Sequence, residues 1–507
     1  MTVLRVALAS AVALAGLLDP PTAAAQDRPT SAVAVAEAHR LRGEFSEAVQ
    51  VLRAHVAVAP ADGEAARLLA ETLYWLGDVA AARQAYDAAI ARFPQDTLVR
   101  LQYARMLVET GDAPAARPLL LAIRDSASGA GAESLLGTIT YWDGDLSSAA
   151  RHFEAALRLD PGQADARRQL DEIRAATSPW LRIGGTARRD DQPLDRLAGG
   201  IEAGWFATPH TPVAARFDPL RFHTDQATRD LWLGEVEVRH GSPRGVEIAA
   251  AAGAVSAPGG GREVTARGRL SARPSPEAAI GVEVARAPYF WTTSSLDAAL
   301  LPTTVRVFAS TSARGFNGEA AVERHWFDDD NAVSAAYAWL LVPLARRERA
   351  LLQAGYAFTV EDSRASRFEL AHPGPLLAPG GAALDTRGRY VPYYTPEQRR
   401  THAVLGAIAV GTPGGAWLRL SGSYAARTTE LAPEFVVAGG ARTRVFVPRE
   451  SHPWEARASL DVPLHARLLL TMHGQAGRKP FYDWQSAAVS ITYRFRGLPA
   501  GVGQGGR

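Results

Sequence analysis

Cysteine is missing from all 507 residues. That removes disulfide frameworks, thiolate zinc sites, iron–sulfur clusters, thiol catalysis and lipid attachment at a cysteine. Lysine is almost missing as well: Lys479 stands alone, and arginine carries the remaining positive charge. Net charge is scarce, because 55 Lys+Arg oppose 53 Asp+Glu and leave a formal +2. No field of one sign therefore points to nucleic acid. After the first twenty residues no apolar run approaches the roughly 20 residues that a membrane-spanning helix needs. HExxH, GxSxG and Walker patterns are absent, and the 12 histidines show no ligand spacing on a common face. The chain is not expected to be an enzyme, and nothing in it asks for a metal or a cofactor. What remains is 47% hydrophobic at a mean hydropathy of −0.09, enough apolar material to exclude a wholly disordered polymer.

The first 25 residues read as an address. Arg5 gives a positive start, Val6 to Leu18 an apolar centre, and Ala23-Ala24-Ala25 a small-residue cleavage site before Gln26. The mature chain is expected to be exported into a bacterial envelope, without a lipid anchor.

A repeat follows. Gly43, Gly77 and Gly111 stand 34 residues apart, with Gly144 33 further on. Ala48, Ala82, Ala116 and Ala149 lie five residues past each glycine, and Pro60, Pro94 and Pro161 close three of the four units. A tight inter-helix turn at glycine, a small residue at a close helix crossing and a helix-ending proline describe two antiparallel helices per unit. This resembles the tetratricopeptide repeat. Four units are expected at 29–62, 63–96, 97–129 and 130–163, with a capping helix over 164–176, making a periplasmic solenoid over 29–176. Such solenoids usually bind peptides or proteins on the concave face, so a periplasmic protein partner is expected. Trp75, Tyr103, Arg105, Tyr141 and Trp142 are candidates to line that groove, although helical aromatics are more often packed between helices.

From Pro179 the period changes to two. In 263–273, Val264, Ala266, Gly268, Leu270 and Ala272 alternate with Glu263, Thr265, Arg267, Arg269, Ser271 and Arg273. Residues 316–325, 454–462 and 489–495 alternate likewise, the last with Val489, Ile491, Tyr493 and Phe495 on one face. About sixteen such strands are expected, and their connections sort by parity. Thr208–Pro212, Gly241–Gly245, Pro274–Glu277, Ser312–Gly315, Pro343–Arg349, Thr412–Gly415 and Pro463–His465 are short, whereas the other side holds 287–302, 362–400 and 428–453. A soluble sandwich has no reason to sort its loops this way. A transmembrane barrel does, with short turns in the periplasm and long loops outside. The expected fold is therefore multidomain: an all-α solenoid, then an antiparallel transmembrane β-barrel of about sixteen strands over 179–496, then a polar tail at 497–507.

The polar strand faces supply the candidate path. Glu235, Glu237, Arg239, Arg267, Arg269, Glu319, Glu323, Arg419, Arg457 and Asp461 are expected to face a lumen wide enough for water. There they would exchange hydrogen bonds with a passing polar solute, or only with one another. Asp190-Asp191 and Asp328-Asp329-Asp330 are expected as acids of tight turns, and Ser451-His452 does not form a nucleophile–base pair by adjacency alone. In the longest loop, Arg389, Tyr390, Tyr393 and Tyr394 are candidates to stack on sugar rings or to fold into the mouth as a gate. The alternative for Tyr393 and Tyr394 is an interfacial aromatic belt.

Leader, repeat array and sixteen-strand barrel together resemble the outer-membrane exopolysaccharide exporters: the cellulose synthase C subunit, the poly-N-acetylglucosamine porin and the YaiO-type barrels. Tyr390-x-x-Tyr393-Tyr394-Thr395-Pro396-Glu397-Gln398 is similar to the Y(Y/F)SPQ segment of the cellulose-subunit barrel, with Thr395 for serine and Glu397 inserted before the glutamine. The resemblance implies a passive channel for a polysaccharide, embedded in outer-membrane lipid, without cofactor or covalent chemistry. Cellulose-type exporters carry a longer array, so four repeats imply a separate periplasmic partner to reach a synthase. The alternative is a non-conducting envelope scaffold or adhesin, anchored by a plugged barrel.

Overall fold

The computed structural model describes residues 31–192, 194–242, 245–257, 260–371, 386–438, 441–480 and 482–497. The leader at 1–25, residues 372–385 of the longest loop and the tail beyond 497 lie outside them. The chain divides into two compact units, 1–128 and 129–507.

In the first unit, helices Ala32–Leu41, Phe45–Val58, Gly63–Leu76, Val79–Arg92, Thr97–Glu109 and Ala113–Leu121 form antiparallel pairs. Asp62, Asp78, Asp96 and Asp112 cap four of them by accepting backbone N–H groups. Gly43, Gly77 and Gly111 sit at φ 77°, 92° and 86°, a left-handed turn that a side chain would strain. Ala48, Ala82 and Ala116 are fully buried at the helix crossings. The third unit lacks a closing proline, and its second helix is short, with Pro118 inside it.

The second unit opens with helices Gly129–Trp142, Leu146–Leu159 and Ala164–Ala176. Gly144 repeats the left-handed turn at φ 78°, Ala149 is buried, and the expected capping helix packs Leu170 and Ile173 against Phe153. No described helix is long and apolar enough to cross a membrane.

A closed antiparallel sheet follows. Of its seventeen strands, sixteen build the wall, and the first, Trp180–Asp190, pairs with both Leu194–Thr208 and the last, Tyr482–Arg494. Closure gives each of these sixteen strands a paired neighbour on both sides. The wall runs on through Thr211–Thr224, Thr228–Gly241, Val246–Ser256, Arg262–Ser275, Ala278–Arg286, Thr303–Ala313, Phe316–Trp326, Ala332–Arg347, Ala350–Ser363, Arg399–Gly411, Trp417–Ala438, Trp454–His465 and Leu468–Lys479. The seventeenth strand, Ala441–Ser451, pairs only with the upper half of Trp417–Ala438, while Trp454–His465 pairs with its lower half. The expected loop at 428–453 is thus a hairpin that continues the wall beyond its rim. Two other turn assignments are corrected: Pro343 and Pro463 lie within strands, at register shifts before Ala345 and His465, and the turns fall after Arg347 and His465. Each bulge leaves the leucine after the proline, Leu344 or Leu464, outside the ladder, and the irregular pairing beside it accommodates proline's missing N–H.

Side chains alternate across the wall. Ile183, Ile201, Ile248, Leu270, Ile280, Val307, Leu340, Met472 and Val489 are all exposed on one face. The opposite face carries ion pairs such as Arg269–Glu283, Arg306–Glu319 and Arg419–Asp461. An apolar outer band around a polar interior is the arrangement a membrane-spanning barrel requires.

The junction between helices and barrel is fixed at the last strand. The Ser178 hydroxyl accepts the Arg496 N–H at 2.7 Å, and the Pro179 carbonyl accepts the Phe495 N–H at 3.1 Å. His210, in the first short turn, approaches Asp145 of the fourth repeat at 3.8 Å. The short turns therefore lie on the helical side of the wall.

Candidate functional site

Two structures meet inside the barrel: a lining of ion pairs and a pair of loops folded across the mouth. The lining follows from register. Arg269 and Arg306 both lie opposite Glu283 on neighbouring strands, and Glu283 bridges them, accepting from Arg269 at 2.9 Å and from Arg306 at 3.0 Å. Arg306 also donates to Glu319 at 2.6 Å, and the Tyr337 hydroxyl donates to the same carboxylate at 3.0 Å. The remaining candidates are paired as well. Arg267 grips Glu235 through both oxygens at 3.1 Å, Arg239 bonds Glu237, and Glu323 accepts from His325 at 3.4 Å. Arg419 meets Asp461 at 2.6 Å, and Arg457 meets Glu455 at 2.5 Å. Arg399, almost fully buried, bonds Glu361 at 2.8 Å.

Residues of 231–239, 263–273 and 454–462 thus enter these ion pairs. Glu283, Arg306, Glu361 and Arg399 were missed. The signal for the first two was present: Glu283 lies between Val282 and Val284, and Arg306 between Val305 and Val307, each on an alternating strand.

The loops close over this lining. Phe290, Leu296 and Leu301, from the segment between Arg286 and Thr303, pack on Leu194, Phe222, Leu231 and Val255 of the inner wall. A short helix, Thr293–Asp297, shapes that segment. Trp291 lies under the Arg188 guanidinium at 4.5 Å, with Trp484 on the same cation at 4.6 Å. The second loop meets the first: the Thr292 hydroxyl donates to the Pro392 carbonyl at 2.5 Å, and Tyr289 stands edge-on to Tyr393.

Tyr393 is the pivot. It is fully buried, its ring stacked on Phe327 at 3.6 Å, and its hydroxyl donates to both Asp329 oxygens at 2.8 and 2.9 Å. Arg367 holds the same carboxylate at 2.5 Å. Burial and the bond to Asp329 push the Tyr393 hydroxyl up to about 12. Burial acts to raise Asp329, but the bonds from Arg367 and Tyr393 outweigh it and hold the carboxyl below its ordinary range. Tyr394 donates to Glu430 at 2.7 Å, and Tyr390 stands edge-on to it. Burial raises both phenols. Arg389 is exposed on the small strand Gly388–Tyr390, which pairs with Phe368–Leu370. A belt position for Tyr393 and Tyr394 is therefore corrected: both hydroxyls turn toward carboxylates. Asp190 and Asp329 do act as turn acids, Asp190 accepting the N–H groups of Gln192 and Leu194. His452 is bonded to the Ala425 carbonyl at 3.2 Å.

Among the groove candidates of the repeats, Tyr103 is buried and stacked on Tyr86, and Tyr141 packs into the core. Trp75, Arg105 and Trp142 are exposed.

The profile of the tetratricopeptide repeat matches residues 39–100 and 73–137. The helical region is a tetratricopeptide array. No curated protein matches the chain. A solved structure described as a bacterial polysaccharide outer membrane secretin aligns with a TM-score of 0.46 at 10% identity, covering 63% of this chain and 99% of that one. MamA from Desulfovibrio magneticus RS-1 aligns at 23% identity and TM-score 0.26, over 28% of this chain and 80% of its own. PilF of Pseudomonas aeruginosa gives 20%, 0.27, 28% and 66% in the same order. The tetratricopeptide array is followed by a closed sixteen-strand antiparallel barrel.

Proposed function

We propose that the protein is an outer-membrane channel that exports an exopolysaccharide, with its tetratricopeptide array docking a periplasmic partner at the inner mouth. The observation that carries this reading is the closed sixteen-strand wall with an ionic, hydrogen-bonding inner face. A wall of that strand number encloses an aqueous lumen rather than a packed core. The exporter-like segment at 390–398 contributes Tyr393 and Tyr394 to the closure of the mouth, which favours a gated path over an open pore. Passage needs no bond to be made or broken in the polymer, because the lining only exchanges hydrogen bonds with it.

The inward-folded loops also suit the second reading, an anchor with a plugged barrel. Planar-bilayer recording of the full chain separates the two. Discrete current steps that soluble oligosaccharides block support the channel. Glu319→Ala with Glu323→Ala should then change conductance while leaving assembly intact. Insertion without current, from the native chain and from a variant with its loop released, favours the anchor.

A further inference from the structure

We infer that the exported polymer is electrically neutral: a hydroxyl-rich sugar chain without carboxylate, sulfate or ammonium groups. This rests on the channel reading above and assigns its substrate class.

The argument is the compensation of charge along the lining. Guanidinia and carboxylates alternate in bonded sets, from Arg267 with Glu235, through the chain Arg269–Glu283–Arg306–Glu319, to Arg419 with Asp461. A polyanion would need guanidinia free to receive it, and a polycation free carboxylates. To engage any of these sets, either would have to break an existing pair in a confined, weakly screening space and leave one partner unmatched.

One cavity along the lining points the same way. A cavity of about 780 Å³ borders the strands from Phe316–Trp326 to Leu468–Lys479. Its carboxylates are Glu323, Glu361 and Glu455; its cations are Arg399, Arg457 and Lys479, together with Arg478, which is committed to Asp483 at 2.8 Å. The uncharged lining includes Trp339 and Tyr337 beside Thr359, Thr401, Ser421 and Ser423. An indole face for the C–H side of a sugar ring and hydroxyls for its edge suit a neutral saccharide without engaging the ion pairs.

The test is reversal potential and block in planar bilayers holding the full chain. Expected are weak selectivity between potassium and chloride, and block by neutral glucan oligomers at concentrations about tenfold below those of oligouronates or chitosan oligomers of equal length. Marked selectivity, with preferential block by the oligomer of opposite charge, overturns the neutral assignment and leaves the channel standing. Should the closed mouth hold the native current at zero, the same measurements on Asp329→Ala decide. Zero current from both removes the channel reading and this inference with it.

Discussion

The two halves of this molecule bury opposite things. In the helical repeats the apolar side chains point inward: Leu52, Tyr86, Leu120 and Phe153, nine residues past each turn glycine, are all sealed from solvent. In the barrel the wall turns Ile183, Ile280 and Val307 outward, each more than half exposed, and draws arginine and glutamate inside. One residue type thus signals core in one half and surface in the other. What decides is the medium each half meets. Water drives apolar groups into the repeats, whereas the lipid surround that the proposed function implies would remove that drive from the barrel's outer face and leave its ionic groups the interior.

The strongest break of that contrast is a charge on the wrong face. Ile280→Arg places a guanidinium in the outward apolar band, which costs about 2–4 kcal/mol near the bilayer midplane. The same residue at Trp75, on the exposed side of a repeat helix, should stay within about 0.5 kcal/mol of native. Folding into vesicles, read by the heat-modified gel shift, should fail or weaken for Ile280→Arg. Native behaviour of that variant would place Ile280 off the lipid face.

The next effect concerns the mouth, where the barrel behaves like the repeats and buries apolar groups inward. Tyr393→Phe leaves the Phe327 stack but removes the donor to Asp329. Asp329→Ala leaves a buried phenol without its acceptor, which costs about 1–3 kcal/mol. Open probability should therefore rise in both, and more in Asp329→Ala. Equal currents from the native chain and both variants would remove the latch.

Acid acts on the same contact. Asp329 has a folded value below its unfolded one, so its stabilising contribution is full above the unfolded value of about 4 and is lost as the pH falls through the folded value. Glu397 works against this, because burial raises its carboxyl and acid relieves it. Acidifying the loop side should open the channel in the native chain, and Asp329→Ala should lose that response. An acid response that persists in Asp329→Ala would trace to another group.

Much of this architecture was legible because it repeats. Four glycines with their alanines fix the array, and the parity of loop lengths separates barrel from sandwich without any side-chain contact. The mouth was not legible, for a physical reason. Thr292 meets Pro392 100 residues away, and Tyr393 meets Asp329 across 64. Neither pairing has a period, so nothing local distinguishes a buried Tyr393 from a belt tyrosine. Pro343 failed differently: proline usually marks a turn, and only the register shift beside it admits one within the strand.

The smallest effect sharpens the repeats against one another. Seven residues before each turn glycine stand Ala36, Ala70, Ala104 and Gly137, the three alanines fully buried. At these two repeat positions three units carry alanine with Leu52, Tyr86 or Leu120, and the fourth carries glycine with Phe153. A Cβ at Gly137 would come within 2.5 Å of the Phe153 ring. Gly137→Ala gains about 1 kcal/mol of helix propensity but forces the ring to move, at about 1–3 kcal/mol. The net change should be small and destabilising. Phe153→Leu alone leaves a void beside a glycine. The double variant rebuilds the alanine–leucine pair of the first and third units, so it should be more stable than the two single changes predict, by about 1 kcal/mol or more. The urea midpoint of the helical transition, followed by far-ultraviolet circular dichroism, measures this. Strict additivity would mean that the fourth unit's glycine answers to something other than the ring.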